Sequence, residues 1–100
     1  MKLLQINYKL ESSVSDFMKA SEPVAAAIAD VPGLRWKIWL RDDTVEEGGG
    51  IYLFEDAASR QSYIDGPIIA KLKSHPAVVE VSIKEFDISG ELSSTTRAPI

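Results

Sequence analysis

The chain has 100 residues, a formal net charge of -4 and a pI near 4.9, and 45% of its residues are hydrophobic. That length holds one domain, residues 1–100, with one thin core, and the acidic balance argues against nucleic acid or an anionic membrane as partner. With no cysteine and one histidine, His75, it offers no disulfide, no thiolate nucleophile and no sulfur- or histidine-rich metal site.

The amino end, Met1-Lys2-Leu3-Leu4-Gln5, lacks the apolar run of a signal peptide, and no stretch reaches membrane-spanning length. The expected setting is soluble and cytoplasmic. Lys2 to Leu10 alternates, with Leu4, Ile6, Tyr8 and Leu10 on one face and Leu3, Gln5, Asn7 and Lys9 on the other, which predicts a strand. Ser13, with Asp16 three residues on, marks a helix start. The helical segment runs to about Asp30 with Phe17, Met18, Val24, Ala25 and Ile28 inward. Pro23 splits it, with Ser21 capping a second helix and the proline in the permissive first turn.

Val31-Pro32-Gly33 ends that helix and Leu34 to Arg41 is the second strand. Regular alternation puts Leu34, Trp36, Ile38 and Leu40 on one face and Arg35, Lys37, Trp39 and Arg41 on the other. The two tryptophans of the chain thus point to opposite sides of the sheet. Two large aromatic surfaces on opposite faces need two covers, more than so short a chain supplies, and this implies a dimer. Asp42 to Gly48 reads as a solvated hairpin tip, and Gly49 or Gly50 opens a third strand through Phe54. Glycines that follow Glu46-Glu47 and precede a strand are unsuited to a phosphate loop, so their expected role is backbone freedom at a strand entrance or bulge.

Asp56 caps a helix from Ala57 to Asp65, Gly66-Pro67 interrupts it, and a short amphipathic piece runs from Ile68 to Ser74. Val78 to Asp87 is the last strand, and residues 88–100 read as an arm or frayed tail that could reach over a partner subunit. The order strand, helix, two strands, helix, strand is the α+β ferredoxin-like split βαβ arrangement (βαββαβ). It has a four-stranded antiparallel sheet with the helices on one face. The other sheet face is expected to carry Trp39 and Phe86 among polar residues, an interaction surface that two copies could close into a barrel.

The spacing Pro32-Gly33-x-x-Trp36-Lys37-x-Trp39, followed by Gly49-Gly50-Ile51-Tyr52-Leu53-Phe54, resembles the YdhR-type monooxygenase family of the dimeric α/β-barrel superfamily. Leu3-Leu4-Gln5, Tyr63 and Phe86-Asp87 agree with it, so the resemblance covers nearly the whole chain. It implies a homodimer, a dimeric α/β barrel, with a pocket in each subunit between sheet and helices. It also implies a cofactor-independent monooxygenase acting on a small aromatic, quinol- or anthrone-like ligand, with neither metal nor flavin. A non-catalytic small-molecule-binding or structural dimer module is the alternative, because fold alone does not fix chemistry.

The candidate substrate-binding residues are Trp36 and Tyr52, as aromatic walls, with the Tyr52 phenol able to hydrogen-bond a substrate oxygen. Trp36 on an apolar face also fits plain core packing, and Trp39 is expected at the dimer interface. Asn7 falls on the mixed face. His75 lies in Ser74-His75-Pro76, a connector where an exposed turn residue is the ordinary case. No catalytic acid, base or nucleophile stands out.

Overall fold

Alternation in Lys2–Leu10 builds the first strand, β1, of the computed structural model, which describes residues 1–100. Its Leu4, Ile6, Tyr8 and Leu10 are buried. Val14–Ala20 forms α1, started by Ser13, whose hydroxyl accepts the Asp16 amide N–H at 3.2 Å. Glu22–Ala29 forms α2 with Pro23 in its first turn, so the segment is split where the proline requires it. Ser21 at the junction caps no amide; its hydroxyl donates instead to the Phe17 carbonyl at 2.8 Å.

β2 (Leu34–Asp42) and β3 (Glu47–Phe54) form the hairpin, and α3 (Ala57–Ile64) and α4 (Pro67–Ser74) lead into β4 (Val78–Asp87). Asp56 starts α3 by accepting the Ser59 amide N–H at 2.7 Å. The sheet order is β2-β3-β1-β4 with every neighbouring pair antiparallel, the α+β ferredoxin-like arrangement. The acidic hairpin tip is not wholly solvated: the Glu46 carboxylate accepts the amide N–H of Val14 and so ties the hairpin to the start of α1. Arg60 of α3 donates to the carbonyls of Leu3 and Phe86, each at 3.1 Å, which fixes α3 over β1 and β4.

One irregularity decides the layout of the site. Leu34 pairs with Phe54, but Trp36 pairs with Leu53, so Arg35 is an extra residue in β2. A one-residue bulge sends every later side chain of the strand to the opposite face. Lys37, opposite Tyr52, and Trp39, opposite Gly50, therefore lie on the helix side of the sheet. Trp36 lies on the outer side. This reverses the placement that regular alternation predicts for the two tryptophans: Trp36 leaves the apolar inner face, and Trp39 leaves the outer one and packs against the core.

The segment expected as an arm or frayed tail forms a short helix, α5 (Gly90–Thr95), and runs on over its own sheet. Ser93, Ala98, Pro99 and Ile100 lie near Leu3, Trp36 and Phe86 on the outer face. The Trp36 indole N–H donates to the Pro99 carbonyl at 2.7 Å, which anchors the chain end. Beyond the reach of this segment the outer face keeps Ile38 exposed at 49%, and Phe86, next to the segment on β4, remains 45% exposed.

Gly33 makes the turn into β2 with a left-handed φ of 82°, and its carbonyl accepts the Glu55 amide N–H at 2.8 Å. A Cβ there would lie 2.2 Å from the Ser59 hydroxyl oxygen. Left-handed strain plus displacement of the Ser59 side chain is expected to make Gly33→Ala about 2 kcal/mol less stable in urea denaturation. An unchanged midpoint would show that this turn relaxes without disturbing α3.

Candidate functional site

Between the inner face of the sheet and helices α1 to α4 lies a cavity of about 390 Å³. Twelve of its 17 lining residues are hydrophobic, so it suits a ligand with an apolar body. Tyr8 of β1, Trp39 of β2, Tyr52 of β3 and Tyr63 of α3 give it aromatic walls. The Tyr52 ring stands 5.1 Å from that of Tyr63 and stacks 6.2 Å from Phe54. Phe17 packs 5.2 Å from Tyr8 and edge-on to His75 at 5.1 Å, closing one side. Val24, Lys71 and His75 form an exposed rim.

The phenols are hydrogen-bonding groups rather than bases. The Tyr63 and Tyr52 hydroxyls share a hydrogen bond of 3.2 Å, which leaves one phenolic proton of the pair free to meet a ligand oxygen. Burial, reinforced by the adjacent Tyr63, pushes the Tyr52 phenol far up, and burial also raises Tyr63. Tyr8 is pushed up to about 12 by burial and then by Tyr63. All three are therefore neutral near pH 7.

Lys37 is the site residue that sequence reasoning missed. Regular alternation places it on the solvated face, and the bulge at Arg35 carries it into the cavity. Its Nζ lies 3.2 Å from the centroid of the Trp39 ring and 4.6 Å from that of Tyr52. Burial lowers its pKa to about 7, so amine and ammonium coexist near neutrality.

The signal that could have revealed it is the glycine triplet. A Cβ on Gly50 would lie 2.5 Å from the Lys37 Cε, and one on Gly48 would lie 2.7 Å from the Tyr8 ring. None of the three has a positive φ, so the triplet provides room for Tyr8 and Lys37 rather than the backbone freedom expected of it.

Of the residues singled out from sequence, the structure brings Tyr52 and Trp39 together in the cavity and leaves Trp36 outside it. Asn7 is on the outer face, where its side-chain oxygen accepts from the Gln5 amide at 3.0 Å. His75 is exposed at the rim, and its Nδ1 accepts the Ala77 amide N–H at 3.1 Å. No group of three or more His, Cys, Asp or Glu side chains is placed to hold a metal ion. No helix is long and apolar enough to cross a membrane.

The state of Lys37 has a consequence for stability. A lysine whose native pKa falls from 10.5 to about 7 binds fewer protons folded than unfolded between those limits. Its burden on folding is therefore greatest below pH 7 and fades as pH rises toward the unfolded value. Wild type measured against Lys37→Met by urea denaturation is expected to gain stability steadily from about pH 7 to about pH 9.5. Parallel stability curves would show that the ammonium stays hydrated.

The model of the family described as "Putative mono-oxygenase ydhR" matches residues 3–99. No curated protein matches the sequence. Among solved structures, the chain is similar to SnoaB, a cofactor-independent oxygenase from Streptomyces nogalater. The TM-score is 0.69 at 17% identity, over 87% of this chain and 92% of that one. A monooxygenase from ActVA-Orf6 of Streptomyces coelicolor, in complex with nanaomycin D, matches with a TM-score of 0.70 at 12% identity. That match covers 89% of this chain and 88% of the other. The heme-degrader MhuD from Mycobacterium tuberculosis, with two hemes bound in its active site, gives 0.66 at 22% identity, over 87% and 95% of the two chains. These likenesses establish a shared fold. The family match spans nearly every residue that builds the sheet, the cavity and the tail, and by it the chain belongs to the ydhR mono-oxygenase family.

Proposed function

We propose that this protein is a cofactor-independent monooxygenase acting on an aromatic, quinol- or anthrone-like substrate held in the cavity between sheet and helices. The observation that carries this reading is the cavity itself, about 390 Å³ with a tryptophan and three neutral tyrosines in its walls. Such a lining stacks a flat ring, excludes water and presents the Tyr52 hydroxyl to a ring oxygen. Support comes from the family match and from SnoaB and ActVA-Orf6, which have this fold and are described as oxygenases.

The chemistry asks little of the protein. An anthrone that loses a proton becomes an electron-rich enolate able to give one electron to dioxygen. The two radicals combine at carbon, and the resulting peroxide loses water to leave a ketone. Overall the methylene and dioxygen become a carbonyl and water, so the substrate supplies every electron. Trp39 and Tyr52 hold the ring in the reacting geometry, and the apolar lining keeps the carbanion from bulk water.

Oxygen uptake with a panel of quinols and anthrones, measured in the presence of a chelator, tests the reading. Trp39→Ala and Tyr52→Phe are each expected to lower turnover by about tenfold or more, since small misplacements of a reactant have effects of that order. Trp36→Ala, outside the cavity, is expected to leave turnover unchanged. Saturable binding of aromatics with no oxygen uptake would instead assign a non-catalytic binding module.

A homodimer belongs to the same proposal. The outer sheet face keeps Ile38 at 49% and Phe86 at 45% exposure, and a second copy packed on it by a two-fold axis would cover both. Native mass spectrometry is expected to show a dimer that Ile38→Glu converts to monomer. A wild-type monomer at micromolar concentration would remove this part of the reading.

A further inference from the structure

We propose that Lys37 is an anion-binding centre, so that the cavity selects aromatic ligands bearing an acidic oxygen: an enolate, a phenolate or a carboxylate. This deepens the proposed oxygenase reading and rests on its aromatic cavity. The first observation is the charge of the lining. The whole chain has 15 acidic and 11 basic residues, yet the charged or basic side chains lining the cavity are Lys37, Lys71 and His75, with no Asp or Glu among them.

The second observation is what surrounds the Lys37 ammonium. Trp39 on its own strand and Tyr52 on β3 present ring faces at 3.2 and 4.6 Å. Tyr8 from β1 and Tyr63 from α3 bring neutral hydroxyls to the same cavity. Helices α1 and α2 contribute apolar side chains, with Ser21 between them, and α4 contributes Lys71, with His75 just beyond it. No carboxylate lies within salt-bridge distance of Lys37, in contrast to Lys2, which meets Asp87 at 2.6 Å, and Lys9, which meets Glu80 at 3.5 Å.

Ring faces compensate an ammonium only in part, and an anionic oxygen on the ligand would complete the pairing. The stem of the side chain is guided toward that position by the space over Gly50. The proposed oxygenation gives this pairing a use that balances. The neutral Lys37 amine takes the proton from the substrate methylene, and the electron pair left behind delocalises onto the ring oxygen beside the new ammonium. After dioxygen has added to carbon, the ammonium returns that proton to the peroxide anion. Loss of water then leaves the ketone and the free amine.

The test uses two isosteric probes, naphthoate and naphthamide, titrated calorimetrically into the full-length protein. Naphthoate is expected to bind about tenfold more tightly at about pH 6, with the preference shrinking by roughly that factor by about pH 9, as Nζ loses its proton. Lys37→Met is expected to abolish the preference at every pH while still binding naphthamide. Lys37→Arg, which keeps its charge, should retain the preference at about pH 9. His75→Gln separates the rim histidine, and a preference lost in that variant but kept in Lys37→Met would overturn the assignment. Equal affinity of the two probes for the wild type at about pH 6 would overturn the anion-binding centre and leave the aromatic cavity standing. Failure of both probes to bind would overturn the cavity reading and the inference with it.

Discussion

Side chains from neighbouring strands reach into one cavity only when their pleats are in phase, and in β2 that phase is set by a single extra residue. The strand begins with Leu34 opposite Phe54, packed against the core, and Arg35 is then bulged out of the pairing. Everything after it inherits the shift: Lys37 and Trp39 face the helices, and Trp36 and Ile38 face outward. β2 is an edge strand, with β3 as its only neighbour in the sheet, so the unpaired groups of the bulge need not be matched on a second side. The entry turn fixes where the strand starts. Gly33 holds a conformation that side chains resist, so the bulge follows two residues after a rigid point.

The cavity chemistry follows from that shift, and its balance of forces can be ordered. Desolvation of an ammonium opposes the charged form, and attraction to the Trp39 and Tyr52 faces, about 0.5–2 kcal/mol for such contacts, favours it. Burial alone takes the Lys37 pKa from 10.5 to about 7, an effect larger than contacts of that size return. A carboxylate in the lining would have reversed the sign and held the lysine charged. Its absence leaves a group that changes protonation near neutrality beside three phenols that do not. Gly50 is the counterpart of this arrangement, since any side chain there would occupy the path of the Lys37 stem.

The element order was legible because each signal is local. Ser13 and Asp56 cap helices through bonds to amides three residues ahead, Pro23 divides one helical segment, and alternation in β1 reports which face is buried. In Val78–Asp87 a register shift beside Leu10 puts Val78 rather than Val79 against the core. The phase of β2 was not legible for an equally physical reason. A bulge of this kind uses an ordinary residue, and nothing in Leu34-Arg35-Trp36 distinguishes an extra residue from a regular one. Its sign is non-local, in β3, where the buried Gly48 and Gly50 leave space that a large side chain must cross. Read that way, Gly48 and Gly50 point to Tyr8 and to a long side chain on the facing strand. The tail was opaque for a related reason. Its side-chain hydrogen bond to the sheet joins the Trp36 indole N–H to the Pro99 carbonyl, a contact with no periodicity to betray it.

An acidic chain with a basic cavity separates two effects that a net charge merges. The excess negative charge lies on exposed side chains such as Glu22, Asp30 and Glu91, where water and salt screen it within a Debye length of about 8–10 Å. Inside the cavity the walls are apolar and the nearest charges are cations, so the local potential there is set by Lys37 rather than by the total. An anionic ring thus meets weak, salt-sensitive repulsion on approach and stronger, poorly screened attraction once seated. The two act on different quantities: the surface charge on the association rate, the buried lysine on the residence time. A neutral ring of the same shape would feel neither, and its affinity would rest on stacking and burial alone. Selectivity between the two is therefore determined where the bulge has put a lysine, opposite Tyr52 at the position that regular alternation would have given to Trp36.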